Sequence, residues 1–288
     1  MDHVSGWDGR DLIFDEIGYW SEIKLEIVKK YASAYSRILA RQRPLSHVYI
    51  DGFAGTGVHW TRDTHRFVPG SPLHALNVDP PFDEYFLVDL DGDKVDQLRS
   101  FPEVRERTGV HILHGDCNDV LLRDVFPRVR YEDYRRALCL LDPYGLHLNW
   151  EVIETAGKMR SIEIFLNFPI MDMNRNALWR NPEHVRPSGI RRMTSFWGDE
   201  SWRDIAYEDN PQLGLFGETP PEKASNEKVV SAFAERLRNV AGFQYVPEPV
   251  PMRNSSNAVV YFLFFASHKP VAAKIVTDIF DKYRQMGA

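Results

Sequence analysis

The sequence of 288 residues contains only two cysteines, Cys117 and Cys139, which is too few for a disulfide framework, and their spacing matches no zinc pattern. It has no run of 18 apolar residues, so it predicts no membrane-spanning helix and no membrane partner. The first ten residues lack the apolar stretch of a signal peptide, and we therefore expect a reduced, cytoplasmic protein. The net charge of −6 excludes a surface that is basic throughout, but it leaves room for a local basic patch.

The sequence also lacks G-x-x-x-x-G-K-[ST], which excludes a P-loop NTPase. It does contain a glycine-rich stretch, VYIDGFAGTGVHW (48–60), in which an apolar run ends at Asp51. A dinucleotide-binding loop would read G-x-G-x-x-G with an acid about 20 residues later. Here the order is G-x-x-G-x-G, and Asp89 follows Asp51 by 38 residues. A nicotinamide-dependent oxidoreductase is therefore the less favoured alternative.

Apolar runs alternate with helical patterns through most of the chain. The runs lie at 47–50, 84–91, 110–119, 137–145 and 161–169, and helical patterns lie at 93–101, 120–126 and 150–159. This alternation predicts an α/β fold with a doubly wound, mostly parallel, Rossmann-like sheet. The run at 257–267 leaves no room for another crossover, so we expect an antiparallel C-terminal strand paired with a strand near Tyr245.

The remaining segments divide the chain into three parts. Helical periodicity between 12 and 42 predicts an N-terminal helical segment over 1–45, and the α/β core is expected over 46–171 and 226–288. Residues 172–225 interrupt the rhythm and predict a helical insertion that faces a substrate or partner. Residues 60–70 have no apolar period and predict an exposed loop, after which Ser71 caps a helix through Leu76. Lys24 and Lys29 are expected on a solvated helix face.

Acidic residues follow the predicted strands. Asp51 ends the first, Asp89 and Asp91 the second, Gly115-Asp116-Cys117-Asn118 the third, and Asp142-Pro143-Tyr144-Gly145 the fourth. Open parallel sheets bind ligands at the carboxyl ends of their strands, and glycine lets a backbone approach a ligand closely. This edge of the sheet is therefore the predicted cofactor site.

The arrangement D-x-F-x-G-x-G, with Phe53 between Asp51 and Gly55, resembles the S-adenosylmethionine loop of methyltransferases, notably those that act on nucleic acids. The resemblance implies that S-adenosylmethionine is the cofactor. It also implies that Gly55 and Gly57 lie beside the methionine portion and that Asp51 lies near its amino group. Asp89 would bind the ribose, and Asp116 would lie near the adenine. The other residues expected to line the site are Phe53, Cys117 and Asp142.

A closer resemblance rests on five stretches taken together: YIDGFAGTG (49–57), GSPLHAL (70–76), GDCN (115–118), LDPYGL (141–146) and FPIMDMNR (168–175). These stretches resemble the three-Cys-motif partner family (TcmP), and the similarity covers most of the chain. It implies a methyltransferase-like fold and a partner protein that carries a three-cysteine motif.

The stretch Asp142-Pro143-Tyr144-Gly145 resembles the D/N-P-P-Y/F motif of amino-directed nucleic-acid methyltransferases, in which the acid accepts amine protons and the aromatic ring stacks on the base. Asp142 and Tyr144 are therefore the candidate catalytic residues, and Pro143 is expected beside the substrate. The second proline is missing, which leaves open a purely structural turn.

The segment 174–198 contains five arginines, one acid and interleaved aromatic residues. Arg175, Arg191 and Arg192 are the predicted substrate-binding residues, because arginine with aromatics can hold phosphates and stack on bases of DNA or RNA. The same composition suits a protein interface. Two functions follow: a methyltransferase acting on a nucleic acid or a partner-associated substrate, and an accessory, non-catalytic partner of a three-Cys-motif protein. No metal site is predicted.

Overall fold

The computed structural model describes residues 4–5, 11–208 and 222–285, and it places a seven-stranded sheet at the centre. The strands are β1 (Ser46–Asp51), β2 (Glu84–Asp89), β3 (Val110–His114), β4 (Arg135–Leu141), β5 (Ile162–Phe168), β6 (Val250–Arg253) and β7 (Val259–Ala266). Their order across the sheet is β3-β2-β1-β4-β5-β7-β6.

The first five strands are parallel, whereas β7 is antiparallel to both β5 and β6. This arrangement confirms the predicted α/β class and the antiparallel C-terminal strand. The hairpin partner of that strand begins at Val250, later than expected. Tyr245 forms only an isolated bridge with Ser267, because the chain between Val246 and Pro249 does not pair with β7.

Helices cover both faces of the sheet. The main ones are α1 (Tyr19–Leu39), α2 (Ser71–Leu76), α3 (Gly92–Ser100), α4 (Trp150–Met159), α5 (Ile170–Asn176), α6 (Pro187–Trp197), α7 (Trp202–Ala206), α8 (Asn226–Asn239) and α9 (Pro270–Gln285). Short helical turns occur at Pro102–Arg105, Cys117–Val120, Leu121–Val125, Phe126–Arg128 and Pro182–His184.

The alternation of side chains along β1 shows how the two faces form. Val48 and Ile50 pack into a core with α4 through α8, whereas Tyr49 packs into a second core with α1, α2, α3 and α9. Successive side chains on a strand point to opposite faces, so a fully apolar strand requires helices on both sides. Burial of both faces of the strand explains why the sequence contains continuous apolar runs.

The segment 60–70 is not the exposed loop that its sequence predicts. Val58–Thr61 and Arg66–Pro69 form an antiparallel hairpin, and Asp15–Ile17 adds to it as a third, parallel strand. Phe14, Trp60 and Phe67 pack against one another, with ring centroids 4.9–6.3 Å apart. The aromatic contacts join segments that are far apart in the chain. No local apolar period could therefore predict this hairpin. Ser71 is the first residue of α2, and Gly70 occupies the cap position.

The predicted insertion contributes α6 and α7, whose Phe196, Trp197 and Trp202 are buried in the core on the α4 side of the sheet. Its residues 209–221 lie outside the described residues, as do most of the first ten residues. Two short strand pairs, Val4–Ser5 with Asp11–Leu12 and Tyr207–Glu208 with Glu222–Lys223, complete the secondary structure. The domain boundaries stay a prediction. Within the described ranges, no helix has the length and apolarity needed to cross a membrane.

Candidate cofactor and substrate site

The strand order creates a crevice at the carboxyl end of β1. From β1 the chain builds the sheet in one direction through β2 and β3, and later builds it in the other direction from β4. The loops after β1 and β4 therefore diverge, and ligands bind at such switch points in open α/β sheets. The glycine-rich loop after β1 and the stretch Asp142–Gly145 after β4, both predicted for the site, leave the sheet here.

Two aspartates hold the loop after β1 in place. An Asp51 carboxylate oxygen accepts a hydrogen bond from the Phe53 amide at 3.1 Å, and Asp89 accepts one from the Gly55 amide at 2.7 Å. The other Asp89 oxygen accepts from the Asp91 amide at 2.9 Å. A carboxylate offers about four acceptor sites, so Asp89 can accept further donors from a ligand.

The two glycines that were both predicted to face the cofactor have different surroundings. Gly55 has φ +64°, and a Cβ added there would meet nothing closer than an Asp15 carboxylate oxygen at 3.9 Å. Gly57 has φ +85°, and a Cβ there would lie 2.8 Å from the Leu98 side chain. Both backbones favour glycine. Gly55 alone opens onto the site, while Gly57 lets the loop pack against α3.

Asp51 lies beneath the loop and is fully buried. Burial raises the pKa of its carboxyl to about 6, and the opposing effects are hydrogen bonds from Ser71 and the Phe53 amide. The Tyr49 hydroxyl is 3.4 Å away. The carboxyl that was predicted to face a cofactor amino group therefore has its main contacts with the loop itself.

A cavity of about 240 Å³ lies between the β1 and β4 loops, and we call it the strand-end cavity. The predicted residues that line it are Phe53, Gly55, Asp142, Pro143 and Tyr144. Residues that were not among the predicted site residues complete it, among them Asp15, Lys24, His59, Ser71, Asn167 and Tyr261. Asp51, Gly57, Asp89, Asp116 and Cys117 do not line this cavity.

Asp142 forms the polar centre of the strand-end cavity. One carboxylate oxygen makes an ion pair with the Lys24 ammonium group, and the other accepts a hydrogen bond from the Asn167 side chain at 2.8 Å. The expectation that Lys24 lies on a solvated face was wrong: its side chain is 9% exposed, because α1 packs on the sheet and directs it to the strand ends. Lys29 is exposed, as predicted.

Tyr144 presents a largely exposed ring, with 63% of the residue accessible. Its hydroxyl donates to an Asp15 carboxylate oxygen at 3.1 Å, and the Lys94 ammonium group lies 5.4 Å from the ring centroid. Lys94 also pairs with Asp15 at 2.7 Å. Enclosure of the hydroxyl end and the charges of Asp15 and Asp142 raise the pKa of Tyr144. The segment around Asp15 thus joins α3 to the loop after β4 across the cavity.

His59 is a cavity residue that the sequence analysis missed. Burial and the positive charge of Lys24 lower its pKa to about 4, so the imidazole is neutral at neutral pH. Its Nδ1 has no hydrogen-bond partner among the described residues. The only signal for it was its position two residues after Gly57, and its strand, Val58–Thr61, was not predicted.

The residues of the loop after β3 do not line this cavity. Asp116 is exposed and caps the following turn, accepting from the Asn118 amide at 2.9 Å. Cys117 is buried, and burial raises its thiol pKa to about 12, which makes it a poor nucleophile. The Asn118 side chain accepts from the Asn149 amide at 2.7 Å and so connects this loop to the one after β4.

A second cavity, of about 430 Å³, lies on the other side of the loop after β4. We call it the arginine cavity; it is lined by Leu146, Asp172, Arg175, Asn176, Trp179, Arg186, Ser188, Gly189 and Arg192. Two of the three predicted substrate-binding arginines, Arg175 and Arg192, meet here. Arg191 is exposed on α6 and does not line it. Within 11–208 and 222–285, none of the three guanidinium groups in the cavity forms a salt bridge.

No protein-family model matches the sequence, and no curated protein matches it. Among solved structures, LPL1258 of Legionella pneumophila, a protein of the DUF519 family, is 11% identical, with a TM-score of 0.50 over 92% of this chain and 91% of that one. This likeness shows a shared fold. Membership of the three-Cys-motif partner family stays a prediction.

Two further solved structures are more distant. A putative S-adenosylmethionine-dependent methyltransferase from Listeria monocytogenes is 12% identical, covering 83% of this chain and 99% of that one with a TM-score of 0.41. The N-terminal domain of EvdMO1 with S-adenosylhomocysteine bound is 13% identical, covering 84% and 81% with a TM-score of 0.43.

The raised pKa of Asp51 predicts a pH-dependent stability. Its folded pKa of about 6 lies above the ordinary 3.8, so its ionisation opposes folding as the pH rises through this window. We expect the free energy of unfolding of Asp51→Asn, measured relative to the wild type, to increase by about 2 kcal/mol between pH 4.5 and pH 7.5. This figure follows from ~1.4 kcal/mol per pKa unit. Urea unfolding at both pH values measures this. Asp119→Asn, at an exposed carboxylate, is the control, and an equal gain in both variants would contradict the assignment.

Proposed function

We propose that this chain is an S-adenosylmethionine-dependent methyltransferase that acts on nucleic acid. The observation that carries the proposal is the composition of the strand-end cavity: the open Gly55, the Asp142 carboxylate and the exposed Tyr144 ring meet at the switch point of the sheet. An activated methyl donor and a planar acceptor need such a shared space, because methyl transfer depends mainly on positioning.

The residues present fit this cofactor. Gly55 leaves room for a ligand against the backbone, and Asp89, at the end of the adjacent strand, keeps acceptor capacity for ribose hydroxyls. Asp116 is exposed one strand further on, where the adenine is expected. The cavity volume of about 240 Å³ suits the methionine portion, with the nucleoside toward Asp89. When bound, S-adenosylmethionine supplies an electrophilic methyl group. This choice of cofactor rests on the site residues themselves.

The chain's own residues would hold the acceptor. Tyr144 is anchored at its hydroxyl by Asp15, so its exposed ring is fixed and available for stacking on a base. Asp142 is held by Lys24 and Asn167, and a remaining lone pair of its carboxylate would accept a proton of an exocyclic amine. Tyr144 and Asp142 therefore have complementary roles, the first in orienting the base and the second in accepting its hydrogen bond.

The arginine cavity supports nucleic acid as the acceptor class. It is separated from Asp142 only by the residues of the β4 loop, since Pro143 and Tyr144 line one cavity and Leu146 lines the other. Residues 142 and 146 lie within ~15 Å of each other, the reach of four residues. Three guanidinium groups beside Trp179 offer bidentate donors to phosphate in that cavity.

The alternative is an accessory role beside a three-Cys-motif protein. The observation that favours it is that Asp142 already has two partners, Lys24 and Asn167, in a motif without its second proline. Under this alternative the chain binds the cofactor but transfers no methyl group by itself. Cofactor binding and transfer therefore need separate measurements.

Cofactor binding is tested at Asp89. We expect the wild type to bind S-adenosylmethionine and S-adenosylhomocysteine in calorimetry, and Asp89→Ala to lose about tenfold or more in affinity, because the variant loses the Gly55 anchor and a ribose acceptor. Asp119→Ala, at an exposed acid after β3, should bind as the wild type does. Failure of the folded wild type to bind either ligand would refute the proposal.

Transfer is tested at Asp142 with label from methyl-tritiated S-adenosylmethionine and with RNA and DNA isolated from a strain that lacks the gene. We expect Asp142→Asn to lower incorporation by about 100-fold, the effect of losing a proton acceptor, while calorimetry still detects binding of S-adenosylhomocysteine. Unchanged incorporation would remove Asp142 from the reaction. Cofactor binding with no incorporation by the wild type would point to the accessory alternative.

Nucleic-acid binding is tested by the neighbouring pair Arg192 and Arg191. We expect Arg192→Ala to weaken binding of a mixed-sequence single-stranded RNA about fivefold and to reduce the salt slope by about 0.7. Arg191→Ala is the matched control, because Arg191 lies outside the cavity on the same helix. Fluorescence anisotropy at several salt concentrations measures both. Equal losses would place the contact on the exposed helix surface, and absence of salt-dependent binding would favour a protein partner.

A further inference from the structure

A third cavity, of about 310 Å³, lies at the opposite edge of the sheet from the strand-end cavity. Glu163 and Arg136 are the second residues of β5 and β4, and His268 follows β7, which runs antiparallel to β5, so this is the edge where the parallel strands begin. We call it the amino-end cavity. Its volume falls within the range of small-molecule sites, about 300–1,000 Å³.

The walls of the amino-end cavity are mostly apolar. Helix α1 contributes the rings of Tyr31 and Tyr35 and the side chain of Ile38, and helix α9 contributes Ala272 and Ile275. These two helices pack against each other on the same face of the sheet, so the cavity is a gap in their contact. A flat apolar group can fill it.

The floor of the cavity carries polar groups whose hydrogen bonding is incomplete. The Glu163 carboxylate accepts from the Tyr31 hydroxyl and, at 3.0 Å, from Ser267. The Tyr35 hydroxyl is buried and has no partner among the described residues. A buried hydroxyl without a partner is unfavourable.

The mouth of the cavity is positively charged. The Arg136 guanidinium group lies 3.5 Å from the ring centroid of Tyr131, and the Lys269 ammonium group lies 5.8 Å from the same centroid. Arg160 also lines the mouth. No carboxylate of 11–208 or 222–285 forms a salt bridge with these three cations, and Glu163 is the only acid that lines the cavity. The lining therefore has an excess of positive charge.

We propose that the amino-end cavity binds a small organic anion, with an apolar ring between α1 and α9 and a phosphate or carboxylate held by Arg136, Arg160 and Lys269. Arginine and lysine differ in geometry but both bind such groups strongly at a partly enclosed site. Burial raises the pKa of the Glu163 carboxyl to about 7, which reduces its repulsion of an anion at acidic to neutral pH. This proposal does not depend on the proposed function, since the two cavities share no residue.

The test uses 4-fluorophenyl phosphate as the probe and ¹⁹F NMR line broadening as the readout. We expect saturable binding to the full chain, with Kd raised about fivefold or more by Lys269→Gln and by Arg160→Gln. Lys274→Gln is the matched control, because Lys274 is exposed on α9 and does not line the cavity. It should leave Kd within about twofold of wild type, as expected for a side chain that makes no contact with the ligand. Circular dichroism confirms that each variant is folded.

Three outcomes would overturn the proposal. The first is that the wild type does not broaden the probe signal, or that Lys269→Gln and Arg160→Gln bind as well as Lys274→Gln does. The second is that inorganic phosphate competes as effectively as the aryl phosphate, which would mean that the apolar walls contribute nothing. The third is that S-adenosylhomocysteine displaces the probe, which would place it at the other edge of the sheet.

Discussion

Strand β1 pairs in parallel with both β2 and β4, and this central position determines where the other parts of the site can lie. The loops that follow β1 and β4 leave the same edge in diverging directions, so a crevice between them is a consequence of the strand order. Asp89, at the end of the adjacent strand, reaches the Gly55 amide, whereas Asp116 follows the strand beyond it, and neither carboxylate lines the strand-end cavity.

Helix α1 completes the crevice from outside the alternating strand-and-helix pattern. Lys24 reaches Asp142 across 118 residues of sequence, and the strand before α1 brings Asp15 to Tyr144 and Lys94. The acid and the aromatic residue after β4 are thus both fixed by the N-terminal part of the chain. Any chemistry at Asp142 takes place beside a nearly buried ammonium group, and this ion pair restricts the orientation of the carboxylate.

The sequence predicted the strand ends well because buried parallel strands are continuous apolar runs, and the polar residue that ends each run marks the carboxyl end of its strand. It could not predict the contacts made between distant segments. The hairpin at 58–69 is stabilised by Phe14 and by a strand before α1, and the burial of Lys24 depends on how α1 packs on the sheet. Arg191 and Arg192 are adjacent in sequence, yet Arg192 lines a cavity and Arg191 does not. The difference depends on which side of the helix each residue lies on, and that depends on how the helix packs.

The glycine loop illustrates how one motif combines two physical roles. Asp51 and Gly57 stabilise the loop: the first bonds the Phe53 amide from beneath, and the second allows close packing against Leu98. Phe53 and Gly55 are the members that face the cavity. A chain could therefore keep D-x-F-x-G-x-G for the stability of the turn after its ligand had changed. The residues around Gly55 therefore determine which ligand the loop can hold. They are Asp89, which anchors the Gly55 amide, Asp142 at the centre of the cavity, and Tyr144, whose ring is held in place.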